Sequence, residues 1–194
     1  MLSGGRGASA WGLPEQGAAR LAIQQLTRVQ ADFPQPGVLF RDLSPVLADP
    51  AGFRDLVLGL RTSVPDEDEV DIVAGLESRG FILAAALAVH LGTGMLAVRK
   101  PGKVAGEVIQ ESYALEYGTA TLELNPGDVP DGARVLIVDD VLATGGTGAA
   151  AHRLLTRAGA VVTGLAVAIE IPGLGGRQRL RETAPGLPVF SLVS

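Results

Sequence analysis

The run VLIVDDVLATGGTG, Val135 to Gly148, constrains this chain more than any other segment. Its leading residues, Val135 to Val138, have the length and β-branched character of a strand buried in a parallel sheet. Two acids, Asp139 and Asp140, stand at the carboxyl end of that strand. Ala143, Thr144, Gly145, Gly146 and Thr147 then make a turn of small residues into a helix expected from about Ala149. A strand, a Gly/Thr turn and a helix N-terminus together form an anion cradle, because backbone N–H groups converge there and the helix dipole favours negative charge. A carboxylate beside a phosphate is repulsive at short range. The acids therefore suit another part of the same ligand, such as sugar hydroxyls; a metal ion nearby would also suit. For the acid pair alone a solvated strand end is the simpler reading, but the whole ordered run points to a sugar phosphate. It is neither a Walker A loop nor a dinucleotide fingerprint.

Strands alternate with helices along the rest of the chain. Helical spacing of Ala22, Leu26 and Val29 predicts a helix over 15–31, and Phe33 to Pro45 reads as an apolar, proline-rich loop. Asp49-Pro50 reads as an N-cap with proline at the first helical position, before a face of Phe53, Leu56, Val57 and Leu60. Strands are expected at Val70–Gly75, Met95–Lys100, Thr119–Leu124 and Val161–Ile169, with an Ala-rich helix at Phe81–Leu91. The alternation predicts an α/β fold: a mainly parallel, twisted sheet flanked by helices. Residues 15–194 read as one domain with a small N-terminal hood over about 15–45 and a core over about 46–194. The C-terminal segment could join the hood. Residues 1–14, rich in Gly, Ser and Ala, read as a disordered tail.

Composition excludes several classes of function. There is no cysteine, so no thiolate chemistry or disulfide framework, and two separated histidines make no histidine metal site. A formal charge of −5 gives no general attraction to nucleic acid or anionic membrane, so an anionic ligand must be held by local geometry. No apolar stretch of membrane-spanning length and no signal-peptide pattern is present, which makes the cytoplasm the default location.

In open parallel sheets ligands bind beyond the carboxyl ends of the strands. Three segments fall there: 76–81, 100–117 and 139–147. Glu77-Ser78-Arg79-Gly80 offers amides and a guanidinium to a second anionic group. The third segment opens on Arg99, Lys100 and Lys103 and closes on Glu111, Tyr113, Glu116 and Tyr117. A connection of that length is expected to be a lid that excludes water, or else a solvated excursion.

The ordered run resembles the phosphoribosyl pyrophosphate loop of type I phosphoribosyltransferases. Together with PGVLFRDLSPVL, GLESRGF, VRKPGK and LEYG, it resembles the adenine phosphoribosyltransferases from about Ala31 to Ser194. That resemblance implies transfer of phosphoribose from phosphoribosyl pyrophosphate to adenine, a homodimer, and Mg2+ carried by the donor's own oxygens without direct protein ligands. It assigns the 5′-phosphate to Ala143, Thr144, Gly145, Gly146 and Thr147, and the ribose hydroxyls to Asp139 and Asp140. Pyrophosphate falls to Arg79 and Lys103, with Arg99 and Lys100 nearby. Leu39, Phe40 and Arg41 would line the adenine pocket, while Glu116 and Tyr117 close over the reactants. Glu77 stands where some members carry Asp. A noncatalytic sensor of the sugar donor, or a transferase for another base, are the competing readings.

Overall fold

The computed structural model describes residues 12–33, 36–37, 39–64, 69–114 and 118–194. Most of the expected tail, up to Trp11, lies outside them. The chain divides into two compact units, 1–63 and 64–194.

The first unit contains α1 (Gly12–Leu26), β1 (Arg28–Ala31), β2 (Leu39–Asp42), α2 (Ser44–Ala48) and α3 (Pro50–Arg61). Helix α1 stops five residues before the expected end at 31. Arg28–Ala31 pairs antiparallel with β2 instead, Val29 opposite Arg41 and Ala31 opposite Leu39. The apolar Leu39–Phe40 run, expected as loop, is thus a strand, and its backbone needs a partner more than α1 needs another turn. The Asp49 cap holds: its Oδ1 accepts the Gly52 N–H at 2.7 Å. Leu56, Val57 and Leu60 are buried beneath it.

The second unit is built on a five-stranded parallel sheet in the order β4-β3-β7-β8-β9. Its strands are β3 (Ile72–Leu76), β4 (Gly94–Val98), β7 (Arg134–Leu142), β8 (Val161–Glu170) and β9 (Val189–Val193), with α4 (Arg79–Leu91), α5 (Gly146–Arg157) and α6 (Gly176–Thr183) as connections. The central strands are apolar on both faces, as a covered parallel sheet requires: Leu136, Ile137 and Val138 are fully buried. Ala149, Ala150 and Ala151 put a small-residue face on α5, and Leu154 and Leu155 fill the space beyond.

Four expectations are corrected here. Strand β7 continues through both acids to Leu142, because Asp139, Val141 and Leu142 pair with Val167, Ile169 and Glu170 of β8. Helix α5 begins at Gly146 rather than Ala149, so Thr147 lies in its first turn. Much of the expected long connection is ordered as β5 (Ile109–Ala114), which pairs antiparallel with β6 (Thr119–Leu124). The C-terminal segment belongs to the main sheet, where β9 pairs with β8. Arg177 of α6 fixes it there, donating to Glu170 at 2.6 Å and to the Val189 carbonyl at 2.8 Å. Among the described residues no helix is long and apolar enough to cross a membrane.

At the start of β7, Arg134 grips Asp71 beside β3, with Nη2 to Oδ1 at 2.6 Å and its own N–H to Oδ2 at 2.8 Å. These hydrogen bonds lower the Asp71 pKa from 3.8 to about 2. A depressed acid stabilises the fold above its unfolded pKa and ceases to do so as pH falls through its folded pKa. Asp71→Asn should therefore cost at most a few degrees of melting temperature at neutral pH, since the pair is solvated. The deficit should vanish between pH 3.8 and about 2. Parallel melting curves for the two proteins across that range would refute the assignment.

Candidate active site

The chain leaves β3 toward β4 and leaves β7 toward β8, so the connections diverge between two neighbouring strands. Such a switch point opens a crevice at the strands' carboxyl ends. Two glycines close α4 onto it. A Cβ on Gly75 would stand 2.8 Å from that of Ala84, and one on Gly80 would stand 2.8 Å from the Val138 carbonyl oxygen. This places Arg79, the first residue of α4, across the crevice from β7. Its Nε donates to the Asp140 carboxylate.

The two acids differ. Asp140 is 8% exposed and carries the ion pair with Arg79. Asp139 is half-buried and accepts the Asp140 N–H at 2.9 Å. Burial first, and the Asp140 carboxylate second, push the Asp139 pKa well above the usual carboxylate range. The two acids thus stand in different environments, one bound to a guanidinium and the other penalised by burial and by its neighbour's charge.

The turn beyond them is tightly backed. Gly145 caps α5 with φ +78°, a conformation a β-branched residue resists. A Cβ on Gly176 would overlap the Ala143 carbonyl, and one on Gly145 would meet the Gly176 carbonyl. A cavity of about 70 Å³ lies here, walled by Asp139, Ala143, Thr144, Gly145, Gly146 and Thr147 among others. A larger cavity of about 480 Å³ runs along β4 past Arg99 and Lys103. The smaller one is where the amides and hydroxyls of the turn meet a helix N-terminus. Arg179 of α6 adds charge: its Nη1 would lie 3.4 Å from a Cβ on Gly146.

The third segment joins the other two through side chains. Glu77 accepts the Lys100 N–H at 2.8 Å, and its carboxylate lies 3.7 Å from Arg99 Nε. Arg99 also stands over the Phe81 ring, 5.8 Å from its centroid. On the hairpin, Thr147 Oγ1 donates to the Tyr113 hydroxyl at 3.2 Å. Glu111 accepts from Arg153 at 2.6 Å and Arg157 at 3.0 Å. The Arg153 hydrogen bond is the first reason its pKa lies below the usual value.

Of the residues picked out by sequence, Arg79, Asp139, Asp140 and Ala143 to Thr147 meet at one crevice, with Arg99 and Lys100 tied to it through Glu77. Arg79 and Arg99 hold protein groups rather than open space. Lys103 is exposed. Leu39, Phe40 and Arg41 stand in β2 of the first unit, where the Phe40 ring meets Phe33 edge-on at 5.1 Å. Glu116 and Tyr117 lie outside the described residues. Sequence reading placed Glu111 and Tyr113 at the close of the lid segment without their partners, and did not single out Glu123, Arg153 or Arg179. Glu123, an acid between two leucines, fits the ordinary alternation of a strand and left no local signal.

Comparison with known proteins agrees with this geometry. The phosphoribosyl transferase domain family matches residues 49–184. An adenine phosphoribosyltransferase of Clavibacter sepedonicus is 57% identical over 168 residues, covering 87% of this chain and 86% of that protein. The crystal structure of an adenine phosphoribosyltransferase from Rhodothermus marinus superposes with a TM-score of 0.83 at 44% identity, covering 91% of this chain and 98% of the other. The Saccharomyces cerevisiae enzyme, solved with an imino-altritol bisphosphate and adenine, gives 0.82 at 36% identity, with 91% and 99% covered.

Gly176→Ala tests the backing of the turn. An overpacked methyl costs about 1–3 kcal/mol, so the melting temperature should fall. Hydrogen exchange at residues 143–147 should quicken while the helix and strand content stays constant. Unchanged exchange at the turn would show that α6 does not support it.

Proposed function

This chain belongs to the adenine phosphoribosyltransferase family, and from that premise we propose how its residues carry out the transfer of a 5-phosphoribosyl group from phosphoribosyl pyrophosphate to adenine. The products are AMP and pyrophosphate, a purine salvage step. The observation that carries the reading is the meeting of Arg79, the acid pair and the turn 143–147 at the switch point.

In this reading the amides and hydroxyls of Ala143 to Thr147 hold the 5′-phosphate, with Arg179 adding charge. Asp139 and Asp140 accept hydrogen bonds from the ribose hydroxyls. As the C1–O bond to pyrophosphate breaks, negative charge grows on the leaving group and positive charge on the sugar. Arg79 and Lys103 stabilise the former. Arg79 must exchange its Asp140 contact for pyrophosphate, so donor binding replaces one charged hydrogen bond by another. An adenine ring nitrogen forms the new bond to C1, and its proton passes to a base, for which Glu116 is the candidate. The family resemblance assigns Tyr117 to the reactants and Leu39, Phe40 and Arg41 to the base.

Among the described residues no group of three or more acids or histidines could hold a metal. A donor set of two acids, one bound to an arginine, fits an Mg2+ that arrives on the donor's oxygens. When bound, it supplies charge neutralisation to the pyrophosphate. We further assign the protein to the cytoplasm as a homodimer that acts on small molecules rather than nucleic acid or membrane.

Pyrophosphate release should require adenine, phosphoribosyl pyrophosphate and Mg2+ together, with adenine outcompeting hypoxanthine. Lys103→Ala should lower kcat by about 10²-fold with little change in melting temperature, because the side chain is exposed. Asp140→Asn should chiefly raise the donor KM. Donor binding without turnover in the unmodified protein would overturn the reading.

A further inference from the structure

Glu123 is almost fully buried, at 2% exposure, and its carboxylate oxygens are met by amides rather than by a guanidinium or ammonium group. Its Oε1 accepts the backbone N–H groups of Lys103 at 2.8 Å and Val104 at 3.0 Å, and its Oε2 accepts from Gln110 at 3.0 Å. These donors, the Lys103 amide first, hold its pKa below the usual value against the cost of burial. A buried carboxylate is costly unless its lone pairs are met by donors, so its place in an apolar strand needs a reason.

The carbonyl of Lys103 is held as well. Arg99 Nη1 donates to it at 3.2 Å. Arg99 and Glu123 are themselves bound backbone to backbone, in both directions, at 2.9 and 2.7 Å. Two residues beyond Lys103, the Ala105 carbonyl accepts from Asn125 Nδ2 at 3.3 Å. The peptide of Lys103 is therefore gripped on its N–H side by an acid and on its C=O side by a guanidinium, and the two gripping residues share one bridge of strand β6. The backbone of Lys103 is not a free lid. Only its side chain is left to move.

We propose that Glu123 is a positioning residue for the transfer: by fixing the Lys103 backbone it sets the arc through which the Lys103 ammonium reaches the leaving pyrophosphate. This rests on the reading of Lys103 given above. Electrostatic stabilisation of a leaving group depends on where the cation stands when charge develops, and a displacement of about 1 Å costs about 10²-fold. Arg99, expected near the pyrophosphate, acts in this arrangement as the second arm of the same clamp.

The test is a double-mutant cycle in the full-length protein, read as kcat and as KM for adenine. Glu123→Ala should lower kcat by about 10–10²-fold and leave the adenine KM within about twofold. Glu123→Gln, which keeps an acceptor oxygen for the two N–H groups, should restore most of the rate. Adding Glu123→Ala to Lys103→Ala should cost nothing further, since the clamp then has no ammonium to place. If Glu123→Ala does not fold, Gln110→Leu, at an exposed position, removes the donor on Oε2; it should lower kcat several-fold, and again only when Lys103 is present. Multiplicative losses in the cycle, or an unchanged kcat in the folded Glu123 or Gln110 variants, would overturn the proposal. A full rate in Lys103→Ala alone would instead overturn the role of the lysine, and the clamp with it.

Discussion

The parallel pairing of β3 with β7 is the constraint from which the rest of the second unit follows. Ile72 to Gly75 lies against Val135 to Val138, and the connections then depart in opposite directions. Two glycine contacts hold α4 against that seam, and a third presses α6 against the turn beyond β7. Every group assigned to the donor stands at the open end of this one pair or is tied to it. A shift of one residue in the pairing would exchange the inward and outward faces of β7 and separate Arg79 from Asp140.

An acidic protein that binds a highly anionic donor must hold its cations in reserve. Here two of them are held by carboxylates of the same crevice, Arg79 by Asp140 and Arg99 near Glu77. Such pairs lower the cost of keeping guanidinium groups half-buried and aimed without a ligand. They also make ligand recognition an exchange of partners, in which only the difference between the two sets of contacts appears as affinity.

The seam was legible in the sequence because its signals are local. Four apolar residues, two acids and a Gly/Thr turn occupy consecutive positions, and the Asp49 cap and the β6 alternation are equally short-ranged. What was not legible depends on distant partners. Whether 28–31 continues a helix depends on the apolar strand eight or more residues later. The reach of β7 to Leu142 depends on β8, and the order in 109–114 depends on β6 and on two arginines of α5. The partners of Arg79 and Arg99 were not legible, because a side chain's choice among nearby charges is set by geometry that composition does not encode. Glu123 fits the ordinary alternation of a strand, and only the loop folded against it explains its burial.

The contact between Gly176 and the Ala143 carbonyl has a consequence for biosynthesis. The turn 143–147 leaves the ribosome well before the helix that braces it, and that helix is secured only once Arg177 finds Glu170 and the Val189 carbonyl of the last strand. A nascent chain that has formed its first four parallel strands still lacks a finished anion pocket. Ligand-assisted folding can therefore act only at the final step, so truncated products should gain nothing from the nucleotide that protects the whole protein.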